Sequence, residues 1–182
     1  PLAAKPRVFL INRTGAEQSQ ILAASIAPTR ADPEHIRHVV VDTIMGGAFT
    51  SRLNMNLRED KHWSYGAGSR LVDAVGPGQW RAGAGVQTDK TAEAMVEIRK
   101  ELTEVLTSNK PSEKEVQFAK DTLVITLPGH NETSSEIARA YAEILTFGLE
   151  DSYWNDFVGE VGAVTVDDVS QSAGKLIRPD EL

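Results

Sequence analysis

The sequence contains no cysteine. Disulfides, thiolate nucleophiles and any zinc site built on cysteine are therefore excluded. The compartment is not fixed by this, and bacterial periplasm, mitochondrion and cytoplasm all stay open. A run of about 18 or more apolar residues is also missing, so the sequence encodes no membrane-spanning helix. Basic excess is absent: 19 Lys and Arg stand against 26 Asp and Glu, a net charge of −7. Nucleic acid and anionic membrane both demand a basic face, so neither is expected as a partner. Ser51, Ser64 and Ser69 have no nearby His–Asp arrangement of the kind a hydrolase triad needs. Gly66, Gly68, Gly83 and Gly85 alternate, but no strand, glycine loop and helix follow one another as in a nucleotide site. They read as a small-residue sheet face that a helix or another backbone approaches closely.

What remains is an ordinary balance of 41% hydrophobic and 25% charged residues over 182 positions, enough for one domain with a real core. Val8-Phe9-Leu10-Ile11 and Gln18 to Ala27 read as strands flanking a turn at Arg13 to Ala16. Asp32-Pro33 signals a helix start, with Ile36, Val39, Val40 and Ile44 as its apolar stripe and Gly46-Gly47 as its stop. Ser64 to Val72 and Gln79 to Gln87 read as strands around Gly76-Pro77-Gly78. In the second of these, Trp80, Ala82, Ala84 and Val86 alternate onto one buried face. Helices follow. Asp89 caps one with Met95, Ile98, Leu102 and Val105 inward, and Ser112 with Glu115 forms a capping box for the next. A third carries Ile137, Tyr141, Ile144 and Leu145 as its buried stripe. Trp154, Phe157, Val158 and Val161 mark a fourth, and Thr165 caps the last. The expected class is α+β: a mainly antiparallel sheet of about four or more strands covered by helices.

Gly46 to Tyr65 is the most informative block. A double glycine closes one helix, Thr50-Ser51 opens a second carrying Leu53 and Leu57 on one face, and that helix ends in Arg58. Seven residues later Tyr65 begins a strand. A guanidinium and a phenol at one helix-to-strand corner are donors suited to a peptide carbonyl or an oxyanion. The alternation of the strand sends Tyr65 and Ala67 to one side. Taken singly, Arg58 also suits a helix C-terminus for electrostatic reasons, and Tyr65 suits a half-buried strand.

This block resembles the zinc metallopeptidases of the pitrilysin, insulysin and mitochondrial processing peptidase family, specifically their second, non-catalytic domain. Val8 to Ala16 with Gln18-Ser19-Gln20-Ile21 looks like that domain's start. Thr165-Val166-Asp167-Asp168-Val169 with Leu176-Ile177-Arg178-Pro179-Asp180 looks like its last helix. The resemblance implies a two-domain clam in which a partner domain or subunit carries zinc and the general base. The second domain faces it across a peptide-binding chamber, and its substrate-contacting arginine and tyrosine map onto Arg58 and Tyr65. It also implies that residues 1–182 are one such domain, a fragment lacking its last strand and its catalytic partner. One departure is His62-Trp63, standing where many relatives have a Gly-Leu-like pair; glycine there would accept a positive φ more readily. Asn54 and Asn56 likewise replace larger apolar residues.

The family's inverted zinc motif, His-x-x-Glu-His, is absent, and Glu34-His35-Ile36-Arg37-His38 is neither that motif nor its reverse. His35 and His38 share a helix face beside Glu34, but no third ligand is evident, so no metal or other cofactor is assigned to this chain. The alternative within the same family is a proteolytically silent scaffold, which would not require both Arg58 and Tyr65.

Overall fold

Trp80, Ala82, Ala84 and Val86 are all buried on one face of the central strand, as their alternation requires. The structure, a computed structural model, describes residues 7–181. Strand β3 (Gly78–Gln87) lies between β1 (Gln18–Ala27) and β2 (Ser64–Val72), antiparallel to both. Among the described residues the sheet thus has three strands in the order β1-β3-β2, fewer than the four or more expected. Arg7 to Asn12 forms no strand. Its side chains Val8, Phe9, Leu10 and Ile11 all lie in solvent, and no described strand pairs with the segment.

The core face of the sheet is covered by helices. Helix α1 (His35–Asp42) continues through a wider π-type turn, Thr43–Gly47, and packs on β2, α4 and α7. The start signal at Asp32 acts one step before the helix: Asp32 Oδ1 accepts the Glu34 N–H at 2.7 Å, and the regular helix opens at His35. Helix α2 (Arg52–Asn54) likewise runs into a π-type segment, Met55–Asp60. A 3₁₀ turn at Thr88–Lys90 leads into α3 (Thr91–Glu104), so Asp89 precedes the helix and does not cap it. There Ala94, Ile98, Leu102 and the following Val105 are buried, while Met95 turns outward. Helix α4 (Glu113–Thr126) opens on the expected Ser112–Glu115 capping box. Helices α5 (Ser134–Phe147), α6 (Tyr153–Ala163) and α7 (Val166–Leu176) complete the chain, α5 ending at Gly148 in the left-handed region. None of these helices is long and apolar enough to cross a membrane.

Helix α5 corrects the sequence expectation. Of its stripe only Ile144 is buried; Ile137, Tyr141 and Leu145 are exposed, Leu145 at 82%. A helical period shows that a face can be buried, not that another element lies over it. The helix is held through Glu143, which accepts from Arg30 Nε (2.9 Å) and Nη2 (2.7 Å). Arg30 is itself buried over the Tyr153 ring.

Two polar contacts lock α1 to the sheet. Asp42 Oδ1 accepts from Ser69 Oγ at 2.6 Å and from Trp80 Nε1 at 2.8 Å. Burial raises the Asp42 carboxyl above its ordinary value, and those two donors partly restrain the rise. Beside them, Gly46 meets β2 backbone to backbone. A Cβ on Gly46 would stand 1.8 Å from Ser69 N, and one on Gly68 2.7 Å from Gly46 O. This is the close approach expected of the sheet glycines, and it falls at Gly68 and also at Gly83, where a Cβ would stand 2.2 Å from Ile21 O.

Candidate functional site

Leu53 and Leu57 anchor the α2 segment in the core, both essentially without exposure, and that burial fixes which side of the segment faces solvent. The two asparagines that interrupt its apolar pattern act as ties. Buried Asn54 donates through Nδ2 to Phe49 O (2.6 Å) and accepts the Ala67 N–H at Oδ1 (3.1 Å), joining the incoming loop to β2. Asn56 Nδ2 donates to Glu97 (3.0 Å) and Glu101 (2.7 Å) on α3. On the far side, Arg52 grips Glu115 of α4 with Nε at 2.7 Å and Nη2 at 3.0 Å.

Arg58 emerges from the solvent side with its side chain 40% exposed. Its guanidinium lies 4.7 Å from the centre of the Phe49 ring, and Nε is 3.3 Å from Glu59 Oε1. The aromatic face holds the planar cation laterally and leaves donors free for a further acceptor. Phe49 was not singled out from the sequence; an exposed aromatic ahead of an arginine-bearing helix was the available signal.

The chain then turns sharply. Lys61 N–H reaches Asn56 O and Trp63 N–H reaches Leu57 O, each at 3.0 Å. Between them His62 adopts φ +57°, the left-handed backbone that glycine would take there. A left-handed turn thus stands at this position with histidine in it.

Tyr65 follows on a β-bulge. Ser64 pairs with Val86 and Ala67 with Ala84, so Tyr65 and Gly66 together oppose the single residue Gly85. Ser64 Oγ accepts the Gly66 N–H (3.0 Å) and donates to Gly85 O (2.8 Å), stapling the bulge. The extra residue separates Tyr65 from Ala67: Ala67 packs against the core, whereas Tyr65 is 88% exposed. The expectation that they share a side fails for this reason. Tyr65 instead joins the open face of the sheet. That face has a shallow trough lined by Gln20, Leu22, Gly66, Gly68, Arg81 and Gly83, with Arg70 directly across from Arg81.

The histidine pair of α1 is divided by the fold. Arg30 Nη1 donates to His35 Nδ1 (3.1 Å) and His35 Nε2–H to Asp73 Oδ1 (2.8 Å), so both ring nitrogens of His35 are spoken for. His38 turns instead toward α7, its Nδ1 lying 2.6 Å from Ser172 Oγ. The inverted zinc motif being absent, these residues do not make that catalytic centre.

The sequence profile described as the peptidase M16 inactive domain matches residues 1–123. No curated protein sequence matches the chain. Among solved structures, the peptidase M16 inactive domain from Pseudomonas fluorescens superposes with a TM-score of 0.83 at 22% identity, over 91% of this chain and 40% of its own. A protease from Helicobacter pylori gives 0.88 at 18% identity, over 100% of this chain and 44% of its own. The inactive peptidase domain of a protein assigned as a zinc protease from Bordetella parapertussis gives 0.77 at 20% identity, over 94% and 93%. The chain thus spans about two fifths of the first two structures.

Proposed function

The chain belongs to the peptidase M16 inactive-domain family, and on that premise we propose that it is the non-catalytic, substrate-contacting half of a zinc-dependent endopeptidase. In this reading a catalytic domain or subunit of the same family holds zinc and the general base, and the two halves enclose a peptide. Arg58 and Tyr65 donate to the carbonyl being attacked. Donors aimed at an oxygen that gains charge act more on the transition state than on the bound substrate.

The observation that carries the reading is the bulge that turns Tyr65 outward. A tyrosine kept for packing would not be 88% exposed beside a core-packed Ala67. Arg58 and the Phe49 ring beneath it add a second positioned donor. The glycine-floored trough with Arg81 offers room for an extended backbone on the same face as Tyr65.

The test uses this chain together with its catalytic half. Arg58→Ala and Tyr65→Phe should each lower peptide turnover by roughly ten- to a thousand-fold, the range for losing an oxyanion-type donor, with zinc content unchanged. Wild-type turnover in both variants, with the protein folded and zinc-loaded, would leave the scaffold alternative as the better account.

A further inference from the structure

His38 is a histidine with one ring nitrogen to spare. The residue is 1% exposed at the start of α1. Nδ1 is engaged by Ser172 Oγ at 2.6 Å, while Nε2 is buried without a hydrogen-bond partner. A buried polar nitrogen left unpaired is costly, so its retention calls for a ligand. A ring nitrogen of His38 and one carboxylate oxygen each from Asp32 and Glu34 lie within 4.8 Å of one another. Of the two nitrogens, Nε2 is the one still free to bind.

We propose that Asp32, Glu34 and His38 form a binding site for a divalent transition-metal ion such as zinc, tying the turn before α1 to the first turns of that helix. One imidazole and two carboxylates are a mixed N/O donor set of the kind zinc accepts, with the remaining position open to water. Ser172, reaching in from α7, acts as a positioning residue: it fixes the ring plane and directs Nε2 away from itself.

Glu34 and His38 stand one helical turn apart, the His38 N–H reaching Glu34 O at 3.1 Å, and the preceding turn adds Asp32. Asp32 Oδ1 is drawn in by the Glu34 N–H. His35, the more obvious partner of His38 in sequence, is committed to Arg30 and Asp73. Glu34 is shared with two cations, Lys175 from α7 and Arg37 at 3.4 Å. The ammonium of Lys175 therefore competes with a metal for the same carboxylate.

The test is metal binding by the whole chain after chelator treatment and dialysis, with zinc chloride as the probe. Titration calorimetry and elemental analysis should give one zinc per chain at micromolar affinity or tighter. The melting temperature should rise with zinc concentration, because only the folded chain holds the three ligands together. Asp32→Asn keeps an oxygen for the Glu34 N–H and should still fold, yet weaken zinc at least ten-fold. Ser172→Ala should weaken it about ten-fold through the loss of ring orientation. Lys175→Ala should tighten it by removing the competing ammonium. That last change distinguishes this site from adventitious binding at exposed His62. No stoichiometric zinc below about 1 mM, or an affinity unmoved by all three variants, would overturn the proposal.

Discussion

His62 Nδ1–H donates to the carbonyl of Arg58 at 3.0 Å, while His62 itself stands at φ +57°. The residue that spends backbone strain to make the turn is thus also the one that caps the helix end carrying the arginine. A non-glycine residue in this region costs about 1 kcal/mol or more, and the side-chain hydrogen bond returns a similar amount.

Substitution at His62 should separate these two effects. His62→Gly relieves the strain and loses the bond, so its stability should stay within about 1 kcal/mol of the parent. His62→Val loses the bond and increases the strain, and should cost about 2 kcal/mol or more. Urea unfolding of both variants measures this. Equal stability of the valine variant and the parent would mean that the turn does not need the left-handed conformation.

Phe49→Ala should act on turnover through Arg58. With the ring gone from beneath the guanidinium, the cation samples more orientations, and kcat should fall several-fold, less than in Arg58→Ala. If the donors act mainly on the transition state, KM should move less than kcat in all three variants Phe49→Ala, Arg58→Ala and Tyr65→Phe. Steady-state kinetics on one peptide, with the catalytic half present, decides it.

Glycine replacements should differ sharply by position. Gly46→Ala would drive a methyl to 1.8 Å from Ser69 N, backbone against backbone, and should cost more than about 3 kcal/mol or prevent folding. At Gly66 nothing lies within 4 Å of an added Cβ, and Gly66→Ala should change stability by less than about 1 kcal/mol. Thermal unfolding of the pair is sufficient; a tolerated Gly46→Ala would contradict the close approach.

The Arg52–Glu115 contact should make part of the stability acid-sensitive. Burial pushes the Glu115 carboxyl up, but hydrogen bonds from Arg52 and Ser112 outweigh it and leave the group below its ordinary 4.5. A depressed folded-state value means that the contribution is complete above the unfolded value and is lost as pH falls through the folded one. Glu115→Gln should therefore cost about 1–2 kcal/mol at pH 7. The difference from the parent should shrink below about pH 4. Denaturant midpoints at the two pH values check both the size and the sign.

Local signals were legible in the sequence and distant ones were not. The Ser112–Glu115 capping box, the Thr165 cap and the alternation of Trp80 to Val86 depend on neighbours within a few residues, and each stands as read. The α3 stripe holds at Ile98, Leu102 and Val105 but not at Met95. The exposed side of α5 and the unpaired Val8 to Ile11 have the right periodicity or propensity, but burial also needs a covering element. The bulge at Tyr65 depends on Gly85 in another strand, and no pattern within β2 announces it. The corner from Arg58 to Tyr65 was found through its resemblance to a family. Its turn, its stacked Phe49 and its stapled Ser64 came from the fold. Asp32 escaped attention as a partner of His38 because a helix-start residue is ordinarily explained by its role as a cap.

The contact of Gly46 with Gly68 closes the chain between them into a ring, pinned where backbone meets backbone. Arg58, His62 and Tyr65 all sit inside that ring, which is further cross-tied by Asn54 to Ala67. A tether whose ends and middle are fixed has little freedom left to lose when something docks on it. Engagement of a partner by this segment should therefore carry a small entropic penalty from its backbone.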